Sequence, residues 1–474
     1  MLKLKGGYIM NIIKKYWKSI LIIFLTGILV LFFPLTNKDW FWFNKFNSIN
    51  LRTIKTLFSF EFLPALLAMV LSKIKLLKVI SYTIAFTVLV LITKNIINKK
   101  NNVLSFIAIF LFFLLKDDLI FSSFISPYGF STNILPLIMT LFIVHLLLKD
   151  TLYKVPKMAV LMLGFVSSLF CITHSIVIFI LLSTYLFKLI LKKEKDKHFL
   201  FLYIGSAIGS IAILIYNIIN NNLLVSGLSE RLLHILIPNI YSMDFIISLI
   251  LISFLLFLSI KVYLSNGRFK RILTVLSLLS VLAYSLTRIL STNDILNYIS
   301  FILFEASSFF IFINSNNKIH FKERIKTFYL LKCLYMLILL ITNINISSIL
   351  FIEFINILVI ITVIDYIFPT NFMSYVWLFI SSFILILNTY MYRGTYIKSV
   401  EMNRYIKNHL ECGMYEIYLP HRYYTSHKNH LLPNSKDEKE DYLTYLNKMF
   451  CSSNITKDIK YDIETENEKK LSFR

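Results

Sequence analysis

Apolar residues run along this chain in long unbroken blocks, separated by short clusters of Lys and Arg. No Lys, Arg, Asp or Glu occurs over 19–37, 119–148 or 158–187. The blocks are Leu, Ile and Phe, without the two-residue alternation of a half-buried strand. A helix needs about 20 such residues to cross a bilayer, and a soluble helix rarely tolerates that many. Within the hydrocarbon every backbone N–H and C=O must be satisfied internally, so these blocks are expected as helices. The alternating segments of about 10 residues that mark a membrane β-barrel are missing. The expected fold class is an all-α polytopic membrane protein of about 12–13 transmembrane helices, with a small α+β polar domain at its C-terminus.

Charge placement orders the spans. Lys3, Lys5, Lys14, Lys15 and Lys18 precede the first block, which predicts a cytoplasmic N-terminus. A basic start and an apolar run also describe a signal peptide. With no small-residue cleavage site before Pro34, the segment reads as a retained first span over 18–35. Residues 52–76 read either as a span or as a helix lying in the outer interface. Further spans are expected at 77–93, 102–115 and 132–148. Basic clusters at both ends of 155–191 imply a hairpin turning near His174. The remaining spans are expected at 199–219, 242–260, 272–289, 295–314, 328–343, 346–364 and 372–391. On this map the basic loops 261–271 and 318–326 lie inside and the C-terminus lies outside.

Domain organisation follows from a change of character near 391. A transmembrane helical domain is expected over 1–391 and a polar domain over 392–474. In the latter, 396–411 continues as helix, 414–419 reads as a short strand and 441–450 as a second helix, with a charged, disordered end. No internal repeat marks an inverted-repeat transporter.

Composition agrees with the membrane reading: 57% of the 474 residues are hydrophobic and only 16% charged, and mean hydropathy is +0.71. The net charge of +23 does not point to nucleic acid, because the cations sit between apolar blocks, where they face anionic headgroups. The expected locale is a cell (plasma) membrane. Cys171 and Cys333 lie in apolar blocks and act as small hydrophobes. Cys412 and Cys451 are either free thiols or a pair, the latter only in an extracytoplasmic tail. No CxxC, HExxH, Walker A or GxGxxG arrangement points to soluble nucleotide or zinc chemistry.

Candidate chemistry lies in the outer loops and in one span. Asp39, in PLTNKDW, is expected at the membrane surface beside Trp40 and Trp42. A carboxylate there can take a proton from a hydroxyl or bind a divalent metal, the one cofactor considered; an ordinary solvated aspartate is the plainer account. Asp117 and Asp118 are adjacent carboxylates that can share a ligand, or simply be solvated. The run SPYGFSTN, ending in Asn133, supplies turns and polar groups for a polar mouth, with Ser131 or Thr132 capping the helix that follows. His174 at the hairpin turn either faces a cavity or is a satisfied interfacial residue. Arg231, His234 and Arg288 either hold a lipid phosphate or anchor the interface. Glu305 falls mid-span, which costs about 2.5–3.5 kcal/mol on insertion scales. It should therefore face protein or water, as a proton relay or as a structural partner. Glu353, near a span end, says less.

The order of an N-terminal span, PLTNKDW, an outer-face helix and a later SPYGFSTN–LPLIM run resembles the bacterial GtrII-like, GT-C-type membrane glycosyltransferases. The tail stretch 404–419, a helix followed by Cys-Gly and MYEIYLP, resembles the start of that family's small extracytoplasmic domain. The resemblance implies transfer of a sugar from a polyprenyl-phosphate donor to a cell-envelope glycan or lipid at the outer face. Membrane lipid, donor and acceptor glycan are then the partners. It gives Asp39 the catalytic role and matches Gly129 and Asn133 to the second element. Asp117, Asp118, Asn133, His174, Arg231 and Arg288 are the expected substrate-binding residues. Two departures stand out: Lys38-Asp39 replaces the usual Asp-Asp, and Ile134 replaces a Tyr. The alternatives are a transporter or flippase of lipid-linked oligosaccharide, which needs charges in several spans, a polymerase, which needs a large Arg- and His-rich outer loop, and a non-enzymatic scaffold.

Overall fold

The computed structural model describes residues 2–36, 39–47, 62–149, 151–194, 196–219, 245–265, 267–290, 294–316, 318–341, 349–367, 374–411, 416–418, 431, 440–442, 444–445 and 470–472. The main helices are α1 (Leu2–Leu31), α2 (Asp39–Asn47), α3 (Phe62–Lys73), α4 (Lys75–Asn98) and α5 (Val103–Phe112). They continue as α6 (Leu135–Leu148), α7 (Lys157–Ser168), α8 (Ile172–Leu191), α9 (Lys197–Ile219) and α10 (Phe245–Ser265). The rest are α11 (Arg268–Leu290), α12 (Asp294–Ser315), α13 (Ile319–Ile341), α14 (Ile349–Ile367) and α15 (Ser374–Glu411). Eight helices among the described residues are long and apolar enough to cross a membrane, and five apolar stretches of 10–17 residues accompany them. The chain is an all-helical, multi-pass membrane protein.

Two compact units form. The first comprises Met1–Thr87, Ile120–Ser131 and Leu378–Arg474; the second comprises Val88–Leu119 and Thr132–Trp377. The first unit is built on aromatic rings. Phe33 meets Tyr82, Phe124 and Tyr392 edge-on at 6.2, 5.5 and 5.5 Å, and Tyr82 stacks on Phe130 at 3.8 Å. Such pairs add about 0.5–1.5 kcal/mol each beyond the area they bury. Trp42 of α2 lies on Ala65, Ala68 and Met69 of α3, where the two alanines leave room for the indole.

The polar tail belongs to this first unit. Tyr442 stacks near Trp40 at 4.2 Å, and its hydroxyl donates to Asn403 Oδ1 at 2.6 Å. A strand at Glu416–Tyr418 pairs antiparallel with Lys470–Ser472, Ile417 opposite Leu471. Two three-residue strands do not support the separate α+β domain expected there. Most of the expected helix 441–450, Cys412, Cys451 and the outer loop 220–241 lie outside the described residues.

In the second unit α7 crosses α9 at backbone contact. A Cβ on Gly164 would lie 2.4 Å from Leu202 O, and one on Gly205 would lie 2.1 Å from Leu161 O. Ser168 and Ser206 hydroxyls meet across the same crossing at 3.2 Å. Small residues here replace the hydrophobic drive that lipid cannot supply. Helix α14 is buried on every side from Ile349 to Val363, as an all-round apolar sequence requires.

The break within 155–191 falls earlier than expected. Helix α7 ends at Ser168 and α8 restarts at Ile172 after Cys171 takes an extended conformation, φ −155° and ψ 139°. His174 is therefore a buried residue in the first turn of α8, not a group at a hairpin tip.

Candidate functional site

The first unit brings Thr36 and Asp39 of PLTNKDW together with Ser126 of SPYGFSTN. Between 121 and 134 the chain departs from the α-helix: π-helical turns at Phe121–Ile125 and Phe130–Ile134 flank a short helix, Pro127–Gly129. Pro127 has no N–H to continue a preceding helix, so Ser126 turns extended (ψ 128°) and becomes the N-cap. Gly129 is required by space, since a Cβ there would sit 1.7 Å from Ser122 O. The predicted capping of the following helix by Ser131 or Thr132 is corrected: α6 opens at Leu135 behind Ile134, which makes no side-chain cap bond. Ser126 Oγ caps by accepting from Gly129 N at 3.4 Å, whereas Ser131 Oγ donates back to Pro127 O at 2.8 Å.

This turn aims Ser126 at Asp39. Its hydroxyl donates to Asp39 Oδ1 at 2.8 Å, while the Thr36 N–H and hydroxyl donate to Oδ2 at 2.8 and 2.6 Å. Asp39 is also the first residue of α2, where a carboxylate favours the helix dipole. It is 0% exposed, so the plainer account, an ordinary solvated aspartate, is corrected: the Thr36 turn and Ser126 close over it. Burial pushes its carboxyl above the usual carboxylate value, against Lys78 and the Thr36 and Ser126 hydrogen bonds, which pull it down. Lys78 is itself buried in α4, with Nζ donating to Pro34 O at 3.4 Å and lying 5.5 Å from the Tyr82 ring centre. Beside the carboxylate, Trp42 stacks on Tyr128 at 5.1 Å, so the two sequence elements also share an aromatic face.

Three donors from described residues occupy three of the roughly four lone-pair positions of a carboxylate. Among the described residues one acceptor position on Oδ1 has no donor. The same donors, with Lys78 supplying the positive charge, do not make the oxygen-only cage a hard divalent cation requires. Among the described residues no three His, Cys, Asp or Glu side chains converge.

The other predicted residues belong to the second unit or lie outside the description. Asp117 and Asp118 open a four-residue helix and are exposed. Asn133 is buried and donates to Thr132 Oγ1 at 3.1 Å. Arg231 and His234, and the side chain of Arg288, are outside the described residues. His174, 0% exposed, has Nδ1 2.7 Å from the Tyr335 hydroxyl and 3.4 Å from Thr140 Oγ1. Its ring meets Phe351 edge-on at 3.9 Å, and Nε2 has no hydrogen-bond partner among the described residues. It faces packed side chains, a place set by the early break before α8.

Glu305 finds a partner that the sequence reading passed over. Lys332 of α13, 2% exposed at its side chain, donates to Glu305 Oε1 at 2.6 Å and to Asn356 Oδ1 at 2.7 Å. Asn356 Nδ2 in turn donates to the buried Glu353 Oε2 at 3.4 Å. Three helices, α12, α13 and α14, thus carry one charged network. A lone Lys within FYLLKCLYML was the available signal. Lys78, at the start of the span expected over 77–93, was passed over as well. Comparison with protein-family models, with curated proteins and with solved structures finds no match to this chain.

Proposed function

We propose that the protein is a GT-C-type glycosyltransferase that moves a sugar from a polyprenyl-phosphate donor to a cell-envelope glycan or lipid at the outer face of the plasma membrane. The observation that carries this reading is the Ser126–Asp39 hydrogen bond of 2.8 Å. It joins the two sequence elements on which the family resemblance rests. In this reading Asp39 accepts the proton of the attacking hydroxyl through the remaining position on Oδ1. A carboxyl raised by burial is a stronger base than one in water, and so better matched to that task. Thr36 and Ser126 hold it in one orientation, and Lys78 balances the charge. The topology that serves this chemistry has about 12–13 spans, a cytoplasmic N-terminus and an extracytoplasmic tail.

The test compares envelope glycans of cells carrying the wild type, Asp39→Asn, or no copy. The reading expects one sugar to be missing from both altered strains at normal protein level; a full complement of that sugar with Asp39→Asn removes Asp39 from the reaction. A second reading, export of a lipid-linked saccharide, is favoured by the charged network of Glu305, Lys332 and Glu353. It expects unchanged sugar composition with lipid carrier accumulating in the inner leaflet when Lys332 is replaced.

A further inference from the structure

A cavity of about 460 Å³ opens in the second unit where α4, α12 and α14 end and α13 begins. Its lining includes Asn316, Lys318, His320, Arg324, Asp365 and Tyr366. Three features of this lining favour an anion. The first is the start of α13. Its first backbone bond runs from Lys322 N–H to Lys318 O at 3.2 Å, so the N–H groups of Ile319, His320 and Phe321 precede the helical ladder.

The second is Asn316. Its Oδ1 accepts from Lys318 N at 3.0 Å, which fixes Nδ2 as the other side of the amide. That Nδ2 is buried with no hydrogen-bond partner among the described residues, and the residue is only 7% exposed. A buried donor left unmade is costly, and an acceptor seated beside it removes that cost. The third is charge. Lys318, His320 and Arg324 line the space, and Lys261 Nζ hydrogen-bonds the Tyr366 hydroxyl at its edge. The one carboxylate in the lining, Asp365, is already engaged. Asn98 and Asn101 donate their amide groups to it at 3.2 and 3.1 Å, and Arg324 acts on it electrostatically.

We propose that this cavity binds a phosphate group, supplied either by an anionic phospholipid headgroup or by free phosphate, through Arg324, Lys318, Asn316 Nδ2 and the first turn of α13. The site stands on residues of the second unit alone and does not depend on the Asp39 reading. The neutral donor and the helix terminus select an oxyanion, and the flanking cations draw it in.

The experiment uses the full chain in two arms. In the lipid arm, the protein is exchanged into nanodiscs of phosphatidylglycerol and phosphatidylcholine, and retained lipid is read by native mass spectrometry. In the soluble arm, inorganic phosphate is titrated against thermal unfolding in neutral detergent, with chloride at matched ionic strength. Binding in the first arm alone identifies a headgroup; binding in the second identifies free phosphate. In whichever arm binds, Arg324→Gln and Asn316→Ala are each expected to weaken affinity about tenfold, the weight of one charge-assisted hydrogen bond. Lys192→Gln, on a distant exposed turn, should leave it unchanged. Asn316→Ala keeps the charge on Arg324 and so carries the test if Arg324→Gln does not fold. No binding in either arm, or equal binding by wild type and both cavity variants, overturns the proposal.

Discussion

Replacing Lys332 by Met is the sharpest perturbation of the fold. Lys332 is almost wholly buried at its side chain and Glu305 retains 14% exposure. The ammonium is the sole hydrogen-bond donor to the Glu305 carboxylate among the described residues: Oε1 takes it at 2.6 Å and Oε2 has no partner. Met fills nearly the same volume, so little of the loss comes from packing. What remains is a carboxylate without its countercharge, together with an Asn356 Oδ1 that loses a 2.7 Å donor. Breaking a buried pair from one side costs about 3–5 kcal/mol. Removing both charges, as in Lys332→Met with Glu305→Gln, is expected to return most of that, because a buried pair replaced by neutral groups is often close to neutral in stability. The assay is reversible unfolding in mixed micelles at fixed detergent composition, read by tryptophan fluorescence for the wild type, both single variants and the double variant. The reasoning predicts a coupling energy of at least about 3 kcal/mol, at the top of the range for residues in one network. A loss below about 1 kcal/mol for Lys332→Met, with the two single changes simply additive, would refute it.

Four further outcomes follow from the same geometry. Gly205→Ala drives a methyl to within 2.1 Å of Leu161 O and should cost about 1–3 kcal/mol by overpacking; a neutral effect on thermal unfolding would contradict the close α7–α9 crossing. Trp42→Ala removes the Tyr128 stack and the Ala65–Ala68 contact and should lower stability by about 3–5 kcal/mol, whereas a loss under about 1 kcal/mol would place Trp42 outside the core. Ser126→Ala deletes one donor to Asp39 and one N-cap; sugar incorporation should fall while protein level holds, and unaltered incorporation would show that Ser126 does not position the carboxylate. The pH profile of stability has a defined sign. Because the folded carboxyl of Asp39 lies above the ordinary 3.8, its contribution is complete below that value and is lost as pH rises through the raised one. Melting of the wild type and of Asp39→Asn, compared from about pH 4 to pH 8, should show the extra decline in the wild type alone; parallel profiles would mean that the carboxyl is not raised.

The membrane character was legible because crossing a bilayer imposes a contiguous requirement on sequence, as 119–148 and 349–367 display without ambiguity. Partners across helices impose none. Lys332 sits in an apolar block as a single cation and Lys78 follows Lys73 and Lys75 at the start of one, and on sequence alone such residues read as snorkelling cations. Only packing reveals that one is sealed beside Asp39 and the other against Glu305. Asp39 was singled out for its place after the first span, yet its burial was illegible, since the residues that cover it come from 120–131, far along the chain. His174 was misplaced for a different reason. Basic clusters at both ends of 155–191 specify an even number of crossings but not where the chain turns, and the extended Cys171 sets that position three residues earlier. The tail illustrates the converse: 396–411 continued a helix as its pattern implied, while the partner of Tyr442 was a residue of that same helix, Asn403, which no local pattern announces.

The most direct test is transfer by the purified full chain in liposomes supplied with a radiolabelled polyprenyl-phosphate sugar and envelope glycan acceptor. The account predicts label moving to the glycan with the wild type, and loss of that transfer with an Asp39→Asn variant that retains its fold. Transfer at the wild-type rate by the Asn variant, or none by a wild type that retains its fold, would contradict it.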